Sequence, residues 1–106
     1  MDKRAVINIL AQFKERLEAQ GIRPRKIILY GSHASGTMRE GSDIDVVVIS
    51  DDFTERGYWA RIDILAQAIY QVFAPIEAVA MTQEEWDKGD SFFVDYAKNG
   101  EVLFAA

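Results

Sequence analysis

Gly31-Ser32 and Asp43-Ile44-Asp45, separated by ten residues, are the part of this chain with chemistry in it. A glycine lets the backbone approach a phosphate closely, and the N–H groups of a following turn can point at it. The Ser32 hydroxyl would add a donor. Asp43 and Asp45 stand at i, i+2 and lead into Ile44–Ile49, IDVVVI, a β-branched run that reads as a strand. In a strand that spacing puts both carboxylates on one face. Two negative charges side by side at the mouth of an apolar strand cost free energy unless water, a cation or a metal compensates them. The chain has no cysteine and a single histidine, His33, which excludes a thiolate or histidine-rich zinc centre. A metal site here is made of oxygen ligands, which points to magnesium, manganese or calcium.

Taken singly, each piece has a plain reading. A Gly-Ser after a strand is an ordinary turn, and acids at a strand start are often simply solvated. No Gly-Lys-Ser/Thr follows, so this is not a Walker loop. An EF-hand is disfavoured because Ile44–Ile49 occupies the place of its glycine and later ligands. Together the two pieces supply what metal-bridged phosphate chemistry needs: a phosphate-cradling turn and a carboxylate pair that a loop can fold back upon it.

Such a site calls for a third carboxylate. Asp51 has the right parity, but six residues at about 3.3 Å each place it roughly 20 Å from Asp45. Asp63 falls mid-helix on a solvent face. Glu77 begins a third strand and is the candidate. Arg39, in the loop between the motifs, could neutralise a phosphate or be a solvated loop arginine. His33 could act as acid or base or be a surface loop residue.

The elements that position these groups follow from periodicity and punctuation. Val6, Leu10, Phe13 and Leu17 make one apolar stripe on a helix over Lys3 to Ala19, capped by Asp2 and closed at Gly21. Lys26 to Tyr30 is a strand. Ser32 is expected to cap a helical turn over His33–Ser35 that Gly36 stops. Ile44 to Ile49 is apolar on both faces beyond Asp45, the mark of a central, doubly covered strand. A long helix over Arg56 to Phe73 should bury Trp59, Ile62, Leu65, Ile69, Val72 and Phe73. Ile76 to Met81 is the third strand. Thr82 to Glu85 forms a capping box, Asp90 or Ser91 caps a last helix to Lys98, Asn99-Gly100 closes it, and Glu101 to Phe104 is a final edge strand.

The order αβ(α)βαβααβ gives an α/β (α+β) fold, a small mixed sheet covered by helices. Keeping Gly31-Ser32 near Asp43 makes the first two strands antiparallel. The helix between the second and third strands favours a right-handed parallel crossover, which brings Glu77 to the same sheet end as Asp43.

With 106 residues, about half of them apolar, one domain over 1–106 is expected. The net charge of −5 argues against a protein held on duplex nucleic acid by phosphate neutralisation, and leaves room for a small phosphorylated ligand brought in with metal. No apolar run approaches a membrane span and no signal peptide is read, so the default compartment is cytoplasmic.

The string Gly31-Ser32-x-Ala34-x-Gly36, then Arg39, then Ser42-Asp43-Ile44-Asp45, resembles the signature of the DNA polymerase β-like nucleotidyltransferases. In particular it is similar to the minimal nucleotidyltransferases found as antitoxins beside HEPN toxins. The resemblance implies a nucleotidyltransferase fold and metal-dependent transfer of a nucleoside monophosphate, AMP from ATP or another triphosphate, to a hydroxyl. It implies that Gly31 and Ser32, with Arg39 and Ser42, hold the triphosphate. Asp43 and Asp45 would bind Mg2+ or Mn2+, with Glu77 as third ligand helping to deprotonate the acceptor. The implied partner is a HEPN-type helical toxin protein. The alternative is a catalytically weak module that neutralises its partner by occlusion. Two departures stand out: Ser35 where a basic residue is frequent, and Glu where Asp is commoner. No separate acceptor-binding region is read, so a partner or a second copy of the chain should select the acceptor.

Overall fold

The computed structural model describes residues 2–37 and 41–105. Helix α1 spans Lys3–Ala19 and strand β1 spans Lys26–Tyr30; the short helix α2 is Ser32–Ser35, and β2 is Ile44–Ile49. A 3₁₀ turn at Asp51–Phe53 leads to α3, Tyr58–Val72. Then come β3 (Ile76–Met81), α4 (Gln83–Lys88), α5 (Phe92–Ala97) and β4 (Glu101–Leu103). The mixed α+β architecture is the one expected.

The four strands lie in the order β3-β2-β1-β4. β1 runs antiparallel to both β2 and β4, and β2 runs parallel to β3. β2 is the centre in every direction, because its alternate side chains feed two different cores. Ile44, Val46 and Val48 join Val6, Leu10, Phe13, Leu65 and Ala68 on the face covered by α1 and α3. Val47 and Ile49 join Ile28, Met81, Val94 and Ala97 on the face covered by α5. That double covering is why the run carries no polar alternation beyond Asp45.

Caps are made where the side chains call for them. Asp2 accepts from the Ala5 N–H at 2.8 Å. Thr82 and Glu85 form the reciprocal box, with the Thr82 N–H to the Glu85 carboxylate at 2.8 Å and the Glu85 N–H to the Thr82 hydroxyl at 3.1 Å. Each such cap is worth about 0.5–2 kcal/mol. Ser91, not Asp90, caps α5.

Three expectations need correction. α3 starts at Tyr58, and its buried residues are Ile64, Leu65 and Ala68, while Trp59 and Phe73 are 73% and 89% exposed. The helix packs on α1 and β3 through its middle, so its terminal aromatics overhang the sheet. Gly31, not Ser32, is the N-cap of α2; Ser32 is its first helical residue. Gly100 is needed for space rather than for a left-handed conformation, since a Cβ there would stand 2.5 Å from the Leu29 carbonyl oxygen where β4 meets β1.

Candidate active site

The register places Tyr30 of β1 opposite Asp45 of β2, and Asp45 opposite Glu77 of β3. Paired residues share a face and neighbouring strands lie about 4.8 Å apart. The three side chains therefore form one row across the sheet, on the α5 face. Asp43 precedes β2 and joins the row through its charge.

The carboxyls perturb one another. Burial pushes Asp45 up, the nearby Asp43 charge adds to this, and hydrogen bonding with Glu77 opposes it. Glu77 is pushed up chiefly by the Asp43 carboxylate and further by hydrogen-bonding contacts with Asp45 and Asp43. The contact that lowers Asp45 raises Glu77, the pattern of two acids that share one hydrogen bond. Burial also pushes the Tyr30 hydroxyl up, helped by Asp45 and Glu77. A phenol kept protonated adds no further negative charge to the row. Tyr30 is the site residue that reading the sequence missed; its signal was the antiparallel register, which sets it opposite the motif's second aspartate.

At the end of β1 the chain turns through Gly31, at φ 74° and ψ −152°, into α2. A Cβ on Gly31 would stand 2.5 Å from Asp45 Oδ2. The turn thus sits directly on the carboxylate row, and glycine is what allows it. Ala34 and Ser35 N–H groups bond back to the Gly31 carbonyl at 3.2 and 3.1 Å. Beside the turn is a groove of about 350 Å³, lined by Tyr30, Gly31, Ser32, Thr37, Tyr96 and Asn99 among others.

His33 is buried rather than a surface residue, and its Nε2 meets the Ser42 carbonyl at 3.2 Å. It ties α2 to the residue before Asp43, so the two motifs are joined through the imidazole. Asp51 pairs with Arg25 at 3.1 Å and Asp63 is exposed, which leaves Glu77 as the third acid of the row. Arg39 lies outside the described residues.

The donor set is all oxygen and rich in unshared negative charge, which suits a hard divalent cation. Among the described residues no three such groups close round a single point. Magnesium does not need that, because it keeps several waters and binds through one or two carboxylates plus substrate phosphates.

A family model described as the nucleotidyltransferase domain matches residues 8–99. The chain belongs to the nucleotidyltransferase domain family. It is 33% identical, over 85 residues, to a Methanocaldococcus jannaschii protein provisionally named a protein adenylyltransferase; the match covers 77% of this chain and 80% of that one. The fold is that of a provisionally assigned nucleotidyltransferase from Sulfolobus solfataricus, with a TM-score of 0.67 at 15% identity over 91% of this chain and 77% of that one. It also matches a chain in a crystal structure of a toxin–antitoxin with AMP-PNP, with a TM-score of 0.63 at 20% identity over 94% of this chain and 73% of that one. The protein is accordingly a nucleotidyltransferase enzyme. No helix among the described residues is long and apolar enough to cross a membrane.

The raised carboxyls have a consequence for this nucleotidyltransferase without metal. An acid whose folded pKa lies above its unfolded value holds a proton in the native state that the unfolded state has released. Its stabilising effect is present below the unfolded pKa and is lost as pH rises through the folded one. Glu77→Gln removes one such acid. Its melting temperature in EDTA should exceed the parent's by a margin that widens as pH rises from about 4.3, the ordinary glutamate value. A margin independent of pH would show that the row does not repel itself.

Proposed function

We propose that this nucleotidyltransferase moves AMP from ATP onto a hydroxyl of a partner protein, a HEPN-type helical toxin that it neutralises as an antitoxin. The observation that carries the reading is the row Asp45–Glu77 with Asp43 beside it, abutting the Gly31 turn at the distance of one missing Cβ. The curated relative's provisional name supports a protein acceptor, and the toxin–antitoxin neighbour supports a toxin as that protein.

In this reading Gly31 and Ser32 hold the triphosphate tail, with Ser42 and Arg39 as further contacts. Asp43, Asp45 and Glu77 would hold Mg2+ or Mn2+, which when bound neutralises phosphate charge and steadies an in-line displacement. The acceptor oxygen forms a bond to the α-phosphorus while the bond from that phosphorus to the bridging oxygen breaks. Pyrophosphate leaves with the electron pair. Glu77, ionised when charge compensation is present, accepts the hydroxyl proton. Tyr30, opposite Asp45 in the register, closes the β1 end of the row.

A second reading, neutralisation by occlusion, is favoured by the exposed aromatics Tyr58, Trp59, Phe92 and Tyr96, each more than 60% accessible. One experiment separates them. The protein is incubated with ATP labelled at the α-phosphate and a HEPN-type toxin protein, with Mg2+ or with EDTA. Label on the toxin with Mg2+ alone is the expected result. Equal labelling in EDTA removes the metal role, and protection without label establishes occlusion. A net charge of −5 predicts no label on duplex nucleic acid at physiological salt.

A further inference from the structure

β3 is an open edge of the sheet. The bonds Ile44 N–H to Pro75 and Ser50 N–H to Met81, at 2.7 and 2.9 Å, fix which residues of β3 face β2. In a parallel pair the facing residues alternate, so Glu77, Val79 and Met81 point their main-chain groups at β2, while Ala78 and Ala80 point theirs outward. Among the described residues the outward Ala80 carbonyl is met only by Arg61 Nη1, at 3.5 Å, the limit of a hydrogen bond. Edges are normally blunted by charge, proline or a bulge. Past Pro75 and Glu77 this one carries small alanines on the floor of a groove of about 550 Å³, walled by Tyr58, Ile62 and Leu65 on one side and by Phe93 on the other.

The chemistry points to the same edge. The proposed tail-binding turn is on β1, the aspartates are on β2 and Glu77 is on β3, in that spatial order. In-line displacement puts the incoming oxygen opposite the leaving pyrophosphate. Pyrophosphate on the β1 side means an acceptor that arrives from the β3 side.

We propose that the acceptor docks as an extended protein segment added as a fifth strand along β3, its hydroxyl residue paired with Glu77. This rests on the reading that a protein hydroxyl is the acceptor. Residues paired across strands share a face, so that hydroxyl points to the carboxylate row. A residue three positions away pairs with Ala80 and, by odd parity, points to the opposite face, where Arg56 and Arg61 line the groove. Glu85 already pairs with Arg61 at 2.7 Å, and Arg56 gives its Nε–H to the Asp52 carbonyl. The groove's own lining therefore carries two guanidiniums against one carboxylate, with Asp52 behind Arg56, and the segment it fits carries an acidic residue three positions from its hydroxyl. Charge complementarity and parity together make that spacing three and not two.

The test is a library of nonapeptides with a central Ser, Thr or Tyr and a single acid at varied distance, assayed with α-labelled ATP and Mg2+. Transfer should favour the acid three positions from the hydroxyl. Arg56→Glu should shift the preference to lysine at that position. Ala78→Pro removes only an outward N–H, a change that edge strands tolerate. It should leave the melting temperature and ATP affinity unchanged and raise KM for the peptide about tenfold, the worth of one lost hydrogen bond. Parent-like KM in Ala78→Pro, or no spacing preference, overturns the added strand. If peptides stay unlabelled while folded proteins in a lysate are labelled, the strand is wrong and protein transfer stands. If label appears only on nucleic acid, or nowhere, both fall.

Discussion

Asp45→Asn is expected to abolish nucleotide transfer, lowering its rate by about 10³-fold or more, while the metal-free protein melts at a higher temperature than the parent. The two effects have one cause. Asp45 lies in the middle of a carboxylate row and is pushed up by burial and by Asp43. A neutral amide keeps the shape and removes a charge that the folded state holds at a cost. In the proposed mechanism the same charge is what would hold a divalent cation against the α-phosphate, and losing one electrostatic partner costs about 10²–10³ in rate even where a single donor is involved. Asp43→Asn should behave likewise. Glu77→Gln should slow transfer by about 10²–10⁴, the range for a group moving a proton in the transition state, with triphosphate affinity nearly intact. Transfer rate, calorimetric affinity for ATP with Mg2+ and melting temperature on the three variants check this. Parent-like transfer in Glu77→Gln would place the third carboxylate elsewhere. Loss of melting temperature in Asp45→Asn would mean that the carboxylate supports the fold.

Gly31→Ala should damage both stability and transfer, through two separable mechanisms. The backbone there, at φ 74° and ψ −152°, lies where essentially only glycine goes, and an alanine held in it costs about 1–3 kcal/mol. Its Cβ would also stand 2.5 Å from Asp45 Oδ2 and 3.3 Å from the carboxyl carbon. The carboxylate can swing aside, so the fold survives, but it swings out of line with Glu77. A misplacement of about 1 Å at a reacting centre is worth about 10²-fold in rate. Combining Gly31→Ala with Asp45→Ala removes the collision and leaves the backbone strain. The stability loss of the double variant should therefore be smaller than the sum of the singles, by chemical denaturation. A Gly31→Ala protein that transfers at the parent rate would sink the close-contact account.

Much of this arrangement was legible before any coordinates. β1, β2 and β3 lie over the residues that their apolar runs marked, because β-branched stretches bounded by glycine, proline and acids leave little choice. The position of Glu77 followed from topology alone: an antiparallel pair, a parallel crossover, and a shared sheet end. What escaped was set by tertiary packing. Trp59 and Phe73 have the period of a buried stripe, yet they overhang, because only the middle of α3 meets α1 and β3. His33 looked like a loop residue since nothing local says that α2 folds down onto Ser42. Tyr30 reads as a strand residue until the register puts it beside Asp45.

β2 is bonded on both sides and covered on both faces, whereas β3 is bonded on one side only. Local opening follows that difference, since segments with fewer partners separate at lower free energy than the strand at the centre. Asp45 thus belongs to the most slowly opening unit of the molecule, and Glu77 to one that can detach first. The two halves of the site are held at different depths of the stability hierarchy. A partly opened molecule keeps the aspartate end in place while the glutamate strand is away from it.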